Sequence, residues 1–203
     1  MSTRIRKTPH MMRKVPAQQR SRATVEAIVE AATRVLGRRG WAKFNTNEVA
    51  HVAGASVGSL YQYFPNKLSL VEAIRRRHFD AVIAVLETAS NEPSESAVES
   101  LVEGMIRVHS ANPSLHKALL EDAPRFSRAS AAEEKFQKKY LVLYSAFVAV
   151  HRSRRNRSSN SLVARVLAAA IEGAVHHAAT EGLSGSAPFK REVVSLARSY
   201  LSV

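Results

Sequence analysis

Apolar side chains recur three and four positions apart after Ser21, which is the spacing of one face of an α-helix. Gly40 follows two arginines and is the expected end of this first helix, because glycine adopts the left-handed cap and cations suit the last turn. A second, shorter helix is predicted to start at Thr46 as its N-cap and to end at Gly54. The apolar stripe of the first helix comprises Val25, Ile28, Val29, Ala32, Val35 and Leu36.

The segment SVGSLYQYFPNK, residues 56–67, predicts a third helix of hardly two turns, with Ser56 as its cap and Pro65 beyond its end. Leu60 and Phe64 are four positions apart and are expected to pack inward on the first helix. Two short helices joined by a tight turn that contains glycine form a helix-turn-helix. The opposite face of the third helix is expected to point outward and comprises Val57, Gly58, Ser59, Tyr61, Gln62 and Tyr63.

The rest of the chain has a helical pattern throughout. Asn66 is expected to cap a long fourth helix, and the polar stretch 88–96 is expected to follow it. No alternating run of strand length occurs, so the predicted fold class is all-α. We divide the chain into a flexible basic arm (1–19), a three-helix domain with the helix-turn-helix (20–67) and a larger helical domain (68–203). The later helices are predicted at 97–110, 113–121, 129–150, 161–181 and 188–201.

Positive charge is concentrated at the start of the chain. The net charge is +13, and residues 1–67 hold 12 Lys/Arg against 3 Asp/Glu. Such an excess suits a polyanion, more often nucleic acid than an anionic membrane surface. A merely solvated basic surface is the alternative. A second basic cluster at 151–160 indicates either a solvated loop between helices or an added contact with an anion.

Several classes of protein do not fit the sequence. Cysteine is absent, which excludes disulfides and thiolate metal sites. There is no Ser/His/Asp order, paired carboxylate pattern, HExxH motif or phosphate-binding glycine loop, so we expect neither an enzyme nor a cofactor. No stretch approaches about 20 uncharged apolar residues, and the basic N-terminus lacks the apolar run of a signal peptide. A cytoplasmic protein without a membrane partner is therefore expected.

The outward face of the third helix has the chemistry of a surface that reads DNA. A helix fits the major groove, and the second helix of a helix-turn-helix presents its first residues to base edges. Gly58 lets the backbone approach DNA closely, Gln62 can hydrogen-bond a base edge, and Val57 can contact a thymine methyl group. The alternative is that the aromatic residues belong to the core and that the lysine is merely solvated. The residues suited to phosphate contacts are Ser59, Tyr61, Tyr63 and Lys67.

Residues 21–70 resemble the N-terminal DNA-binding domain of the TetR family of bacterial transcriptional repressors. The signature of that domain includes a threonine that opens the second helix, an alanine-glycine turn, the motif S-x-G-x-x-Y-x-Y-F and a lysine after the aromatic pair. The resemblance covers about a quarter of the chain, and His51 departs from the polar or acidic residue common there. The matching residues are Thr46, Ala53, Gly54, Ser56, Gly58, Tyr61, Tyr63, Phe64 and Lys67.

The resemblance implies a role for each matching position of the DNA-binding domain. Phosphate contacts are implied for Thr46, Ser59, Tyr63 and Lys67. Base-edge or mixed contacts are implied for Asn47, Val57, Gly58, Tyr61 and Gln62. Arg20 and Arg22, with the basic arm, are expected to add phosphate or minor-groove contacts.

The resemblance also implies that the larger domain binds a small molecule between its helices and forms a homodimer through the last two long helices. Two-fold symmetry then predicts a palindromic operator with recognition helices about 34 Å apart or somewhat more. No metal site is expected, because His176 and His177 are adjacent and point about 100° apart on a helix. Candidate pocket residues, for which ordinary core packing is the alternative, are Met105, His109, Phe126, Phe136, Tyr140, Tyr144, Phe147 and His176.

Two functions are consistent with these observations. The first is a sequence-specific transcriptional regulator, a homodimeric repressor released from DNA by a small-molecule ligand. The second is a DNA-bound architectural or partner-recruiting protein of the same fold without a small-molecule effector, which the long basic arm and the basic loop would suit. The operator, the regulated genes, the ligand and the direction of its effect do not follow from the sequence.

Overall fold

The protein is all-α, as predicted. The computed structural model describes residues 12–13, 18–119, 123, 131–153 and 158–202, and all regular structure in these ranges is helical. The helices are α1 (Gln19–Lys43), α2 (Thr46–Val52), α3 (Val57–Tyr63), α4 (Lys67–Ser90), α5 (Ser94–Ser110), α6 (Pro113–Lys117), α7 (Ala131–His151), α8 (Asn160–Thr180) and α9 (Ala187–Ser202). The ends of α5, α7, α8 and α9 lie within three residues of their predicted positions.

The caps of the two short helices explain where they begin. The Asn45 side chain accepts a hydrogen bond from the Glu48 backbone N–H at 2.9 Å, so Asn45 is the N-cap of α2. The prediction that Thr46 is the cap is therefore wrong by one residue, because Asn45 adopts the extended backbone that a cap requires. The Ser56 Oγ accepts from the Ser59 N–H at 3.0 Å, which confirms Ser56 as the cap of α3.

Two glycines turn the chain at the predicted positions. Gly54, between α2 and α3, has a φ of 63° and Gly40 has a φ of 68°, both in the left-handed region that favours glycine. Gly40 breaks the regular backbone of α1, and the helical assignment continues beyond it to Lys43. The two short helices are thereby joined by a turn that only glycine adopts without strain.

The first compact unit contains α1, α2, α3 and the start of α4 as far as Arg77. Its core confirms that Leu60 and Phe64 pack inward with Ile28 of α1. Four residues that follow α5 in the chain also pack in this core: Leu115, Ala118, Leu119 and Ala123. The two units therefore divide within α4, ten residues after the boundary placed at 67/68 from the sequence, where the helix is continuous.

The second compact unit contains the remainder of α4 from His78, with α5, α7, α8 and α9. Its core includes Leu101 of α5, Tyr144 of α7, Ile171 of α8 and Val194 of α9. Gly104 of α5 faces Val85 of α4 so closely that a side chain at this position would overlap it. The absence of a side chain at Gly104 therefore lets α4 and α5 pack closely.

One helix has the length and composition to span a membrane. The stretch Asn160–Ala179 of α8 meets that criterion, although it carries Arg165 and Glu172. The same helix contributes Leu167 and Ile171 to the core of the second unit. A core helix of a helical protein has this composition, so α8 is weak evidence for a membrane span.

Candidate nucleic-acid interface and ligand site

The outward face of α3 carries the side chains that the sequence places there, with one exception. Val57 and Tyr61 are 42% and 40% exposed, although both are large and apolar. Gly58 and Gln62 are also exposed, and Ser59 is half-buried. An exposed valine and tyrosine on so short a helix are not explained by packing within the first unit.

The exception is Tyr63, whose predicted outward orientation is wrong. Its side chain is only 9% exposed and packs in the core of the first unit with Phe64. Residues three apart on a helix share a face, so Tyr63 follows Leu60 into the core. Phe64 also enters the core, because the helix ends at Tyr63 and the backbone becomes extended at Phe64.

A hydrogen bond between side chains joins α2 to the exposed face of α3. The Thr46 Oγ1 and the Tyr61 hydroxyl are 3.0 Å apart. Within α3 the Ser56 and Ser59 hydroxyls are 2.8 Å apart. Asn47, next to Thr46, is exposed. The structure therefore brings the predicted contact residues of α2 and α3 onto one polar surface.

Lys67 lies at the start of α4, where its position is set by a residue that the sequence analysis missed. Its ammonium lies 3.9 Å from the ring centroid of Trp41, a cation–π contact. The Asn66 Oδ1 accepts from the Ser69 N–H at 2.9 Å, which confirms Asn66 as the cap. The sequence feature that could have indicated this contact is Trp41 itself, the single tryptophan of the chain. A positive charge thus lies at the N-terminus of a long helix, where anions bind well.

Two arginines of α1 are held by the acidic residue of α2. Glu48 Oε1 accepts hydrogen bonds from Arg38 at 2.9 Å and from Arg39 at 3.0 Å. The hydrogen bond from Arg39 is the largest effect holding the pKa of Glu48 below its ordinary value, and Arg38 adds to it. The two arginines therefore offset the charge of Glu48 and tether α2 to α1.

Arg20 and Arg22, in the first turn of α1, are exposed.

Part of the N-terminal arm lies against the first unit. Met12 packs on its core, and the Arg13 N–H donates to the Tyr63 carbonyl at 2.7 Å. Residues 1–11 and 14–17, which carry most of the predicted flexible basic arm, lie outside the described residues. The described part of the arm therefore contacts the C-terminal end of α3.

The basic loop is described only in part. Residues 154–157 of the cluster at 151–160 lie outside the described residues. Arg152 donates to the Ser158 carbonyl at 2.7 Å and to Asn160 Oδ1 at 3.0 Å. This arginine is thus held within the loop itself.

Seven of the eight candidate pocket residues lie in the second unit, and Phe126 is outside the described residues. Met105, His109, Tyr140, Tyr144 and Phe147 are buried. His176 and Phe136 are half-buried. Ring contacts join Phe136 to Tyr140 at 5.3 Å, Tyr140 to Tyr144 at 4.8 Å and His109 to His176 at 4.8 Å between centroids.

Three further residues join this cluster that the sequence analysis did not single out. The His78 ring lies 5.0 Å from that of His109, and Phe79 stacks on Phe136 at 4.2 Å. The Tyr140 hydroxyl donates to Glu172 Oε1 at 2.6 Å. His78 and Phe79 lie on α4, and Glu172 is four positions before His176 on α8. That four-residue spacing was the available signal for Glu172.

Burial controls the protonation of the cluster. It lowers the pKa of His78 to about 4, with smaller effects from His109 and His176. It also lowers the pKa values of His109 and His176. It raises the pKa values of Tyr140 and Tyr144. The histidines and tyrosines of this cluster are therefore neutral near pH 7.

An apolar surface is exposed on the last two helices. Leu162 and Val166 of α8 and Leu196 of α9 are each about half exposed. A groove beside Leu196 is lined by Ala174, Phe189 and Tyr200. Large exposed apolar side chains on neighbouring helices are typical of an interaction surface.

Comparison with known proteins places both units in one family. Residues 28–74 match the family described as bacterial regulatory proteins, tetR family, and residues 93–201 match the tetracyclin repressor-like C-terminal domain. The HTH-type transcriptional regulator TtgR of Pseudomonas putida is 35% identical over 57 residues, 28% of this chain and 27% of TtgR. The regulator EthR of Mycobacterium tuberculosis is 26% identical over 150 residues, 71% of this chain and 68% of EthR.

Among solved structures, the transcriptional regulator FadR of Bacillus subtilis in complex with stearoyl-CoA has the same fold. It superposes with a TM-score of 0.71 at 16% identity, over 87% of this chain and 98% of FadR. The match to the C-terminal domain alone spans more than half of the chain. Together with the helix-turn-helix and its exposed face, it shows that this protein belongs to the TetR family of bacterial regulatory proteins.

Proposed function

We propose that this protein is a sequence-specific transcriptional regulator, a repressor that leaves its operator when a small molecule binds the second unit. The observation that carries the proposal is the exposed face of α3, which is joined to α2 by the contact between Thr46 and Tyr61. The basic charge of residues 1–67 supports binding to a polyanion. TtgR and EthR are named as transcriptional regulators.

In this proposal α3 enters the major groove. Val57 and Gln62 contact base edges, and Gly58 lets the backbone come close, since no side chain stands between the helix and the bases. Asn47 and Tyr61 make base-edge or mixed contacts. The phosphates are contacted by Thr46, Ser59, Lys67, Arg20 and Arg22.

Tyr63 has a structural part in this proposal beside the phosphate contact that the family resemblance implies for it. Its ring supports the core beneath the recognition helix, and its carbonyl holds the arm through Arg13. The arm is proposed to continue along the DNA backbone from this point. Its contribution to affinity is electrostatic and falls as salt concentration rises.

We further propose that the protein acts as a homodimer. The exposed Leu162 and Val166 of α8 and Leu196 of α9 supply an apolar surface that a second copy would bury. Two copies related by a two-fold axis would bind a palindromic operator.

The effector is proposed to bind at the aromatic and histidine cluster of the second unit. FadR, whose fold this chain shares, was solved with stearoyl-CoA. The cluster here offers aromatic faces at Phe79 and Phe136 and polar groups at Tyr140 and Glu172. The effector shifts DNA affinity only as far as its own affinity differs between the two states of the dimer. We propose no catalytic activity and a cytoplasmic location.

Selection of bound sequences from random DNA duplexes at moderate salt tests the proposal. The expected result is a palindromic motif that the Tyr61→Ala variant selects weakly or not at all. A matched control is Val142→Ala, an exposed apolar residue of α7 in the second unit, which should select the wild-type motif. Binding without any motif, with affinity that falls steeply with salt, would contradict the proposal and favour the architectural alternative.

A further inference from the structure

Three histidines from three helices meet inside the second unit. His78 lies on α4, His109 on α5 and His176 on α8. The ring centroids of His78 and His109 are 5.0 Å apart, and those of His109 and His176 are 4.8 Å apart. One ring nitrogen of His109 also lies within 4.8 Å of one of His176. The ring of His109 is therefore in contact with the rings of both other histidines, which come from distant parts of the chain.

These separations suit binding of a single metal ion. Zinc binds an imidazole nitrogen at about 2.0–2.1 Å, and two imidazoles on one tetrahedral ion have ring centroids about 5 Å apart. The observed separations are close to that value. On one tetrahedral ion the two ligating nitrogens are about 3.3 Å apart, so the ring nitrogens of His109 and His176, which lie within 4.8 Å of each other, would have to move closer when the ion binds.

The hydrogen bond of His109 supports the same role. Its Nδ1 lies 2.8 Å from the Met105 carbonyl oxygen, which can only accept, so Nδ1 carries the proton. In the neutral ring the lone pair is then on Nε2. A backbone carbonyl that orients a histidine in this way is typical of metal sites, since it fixes the tautomer and the ring.

A carboxylate close to the histidines also favours a metal ion. Glu172 is one helical turn from His176, and its charge acts on His109. Its carboxylate accepts from Tyr140 at 2.6 Å and would offset part of the charge of a divalent ion.

We propose that His78, His109 and His176 form a binding site for one divalent transition metal ion, with Glu172 as the neighbouring carboxylate. Imidazole ligands suit zinc, copper and nickel, and zinc is the expected ion in a tetrahedral site. The inference replaces the sequence expectation of no metal site, which rested on the adjacent pair His176 and His177 and did not include His78. The inference rests on the proposed function in one respect only: the bound metal ion would be an effector of the regulator.

Isothermal titration of zinc chloride into the metal-stripped full-length protein tests the site. One ion per chain is expected to bind with micromolar or tighter affinity. His176→Gln and His109→Ala should each weaken binding by about 10-fold or more. The matched control is His177→Gln, the exposed neighbour on α8, which should bind as the wild type does. Far-UV circular dichroism shows whether each variant is folded.

Titration with cobalt(II) provides a second measurement, which follows visible absorption instead of the heat of binding. The strong visible absorption of tetrahedral cobalt should appear in the wild type and in His177→Gln, and should be lost or weakened in His176→Gln. No saturable binding in either measurement overturns the proposal. Binding that is unchanged in folded His109→Ala and His176→Gln also overturns it.

The two proposals can fail separately. Metal binding is measured without DNA, and operator binding is measured on the metal-stripped protein. Metal binding without operator binding would support the site and contradict the proposed function. Operator binding without metal binding would support the proposed function and contradict the metal site.

Discussion

The Tyr61 hydroxyl lies 3.0 Å from Thr46 Oγ1, which connects the recognition helix α3 to the first residue of α2. Tyr61 is otherwise 40% exposed. A large exposed ring held in one orientation by a polar contact is poised to bind a partner, since its conformational freedom is already reduced. The contact therefore makes α2 and α3 parts of one surface.

The first prediction concerns this hydroxyl pair. Tyr61→Phe should reduce operator affinity by roughly 3- to 10-fold, because it removes one hydrogen bond from the surface. The melting temperature should hardly change, since the pair is exposed. Fluorescence anisotropy with labelled operator and thermal denaturation measure the two effects. Thr46→Ser keeps a hydroxyl and should bind close to wild type; full affinity of Tyr61→Phe would remove this pair from the interface.

The second prediction concerns Trp41 and Lys67. If Trp41 positions the ammonium for a phosphate, Trp41→Leu should weaken binding to specific and non-specific duplexes alike. Lys67→Gln should lower the magnitude of the salt slope of log affinity by about 0.9 per chain. The double variant should lose little more affinity than Lys67→Gln alone, because the two residues act as one unit. Strictly additive losses would show that the ring contact has no part in DNA binding.

The third prediction separates two tyrosines that are two residues apart. Tyr63→Ala should lower the free energy of unfolding by about 3 kcal/mol, as expected for loss of a buried aromatic ring. Tyr61→Ala should cost far less, because its ring is exposed. Urea denaturation of both variants gives the comparison. Equal stabilities would contradict the buried position of Tyr63, and Tyr63→Phe tests whether the hydroxyl matters.

The fourth prediction is a loss of stability in mild acid. The pKa of His78 is about 4 in the folded protein and about 6.5 in the unfolded chain. Between these values the unfolded chain binds a proton that the folded protein does not, so stability falls as pH is lowered from about 6.5 to 4. His109 and His176 act on His78 in the cluster, and the pKa values of both are lowered as well.

Urea denaturation of metal-free protein at pH 7, 6 and 5 measures this effect. His78→Gln should show a smaller loss of stability between pH 7 and pH 5 than the wild type. His177→Gln, which alters an exposed histidine, should keep the wild-type dependence on pH. A loss that is the same in all three proteins would mean that other groups cause it.

Local sequence signals predicted the helices and the helix-turn-helix because each depends on nearby residues. The apolar stripe from Val25 to Leu36, the cap at Ser56 and the turn at Gly54 act within a few positions. Asn45 and Thr46 are both good caps, so sequence could not decide which of them adopts the extended backbone. Tyr63 was misplaced because the end of α3 lets two consecutive aromatic residues enter the core.

The remaining features depend on contacts between distant parts of the chain. Trp41 and Lys67 are 26 positions apart, and no periodic pattern links them. His78, His109 and His176 come from three helices, so their meeting follows only from the packing of the second unit. The division of the units within α4 leaves no mark in the sequence because the helix is continuous there.

The most direct test of the central claim is to compare the sequences selected from random duplexes by the wild type and by Gln62→Ala. If α3 reads base edges in a dimer, the variant should keep a palindromic motif but lose preference at one base pair in each half, symmetrically. An unchanged motif would contradict the claim that this face of α3 specifies the sequence. A change in only one half would contradict the symmetric dimer.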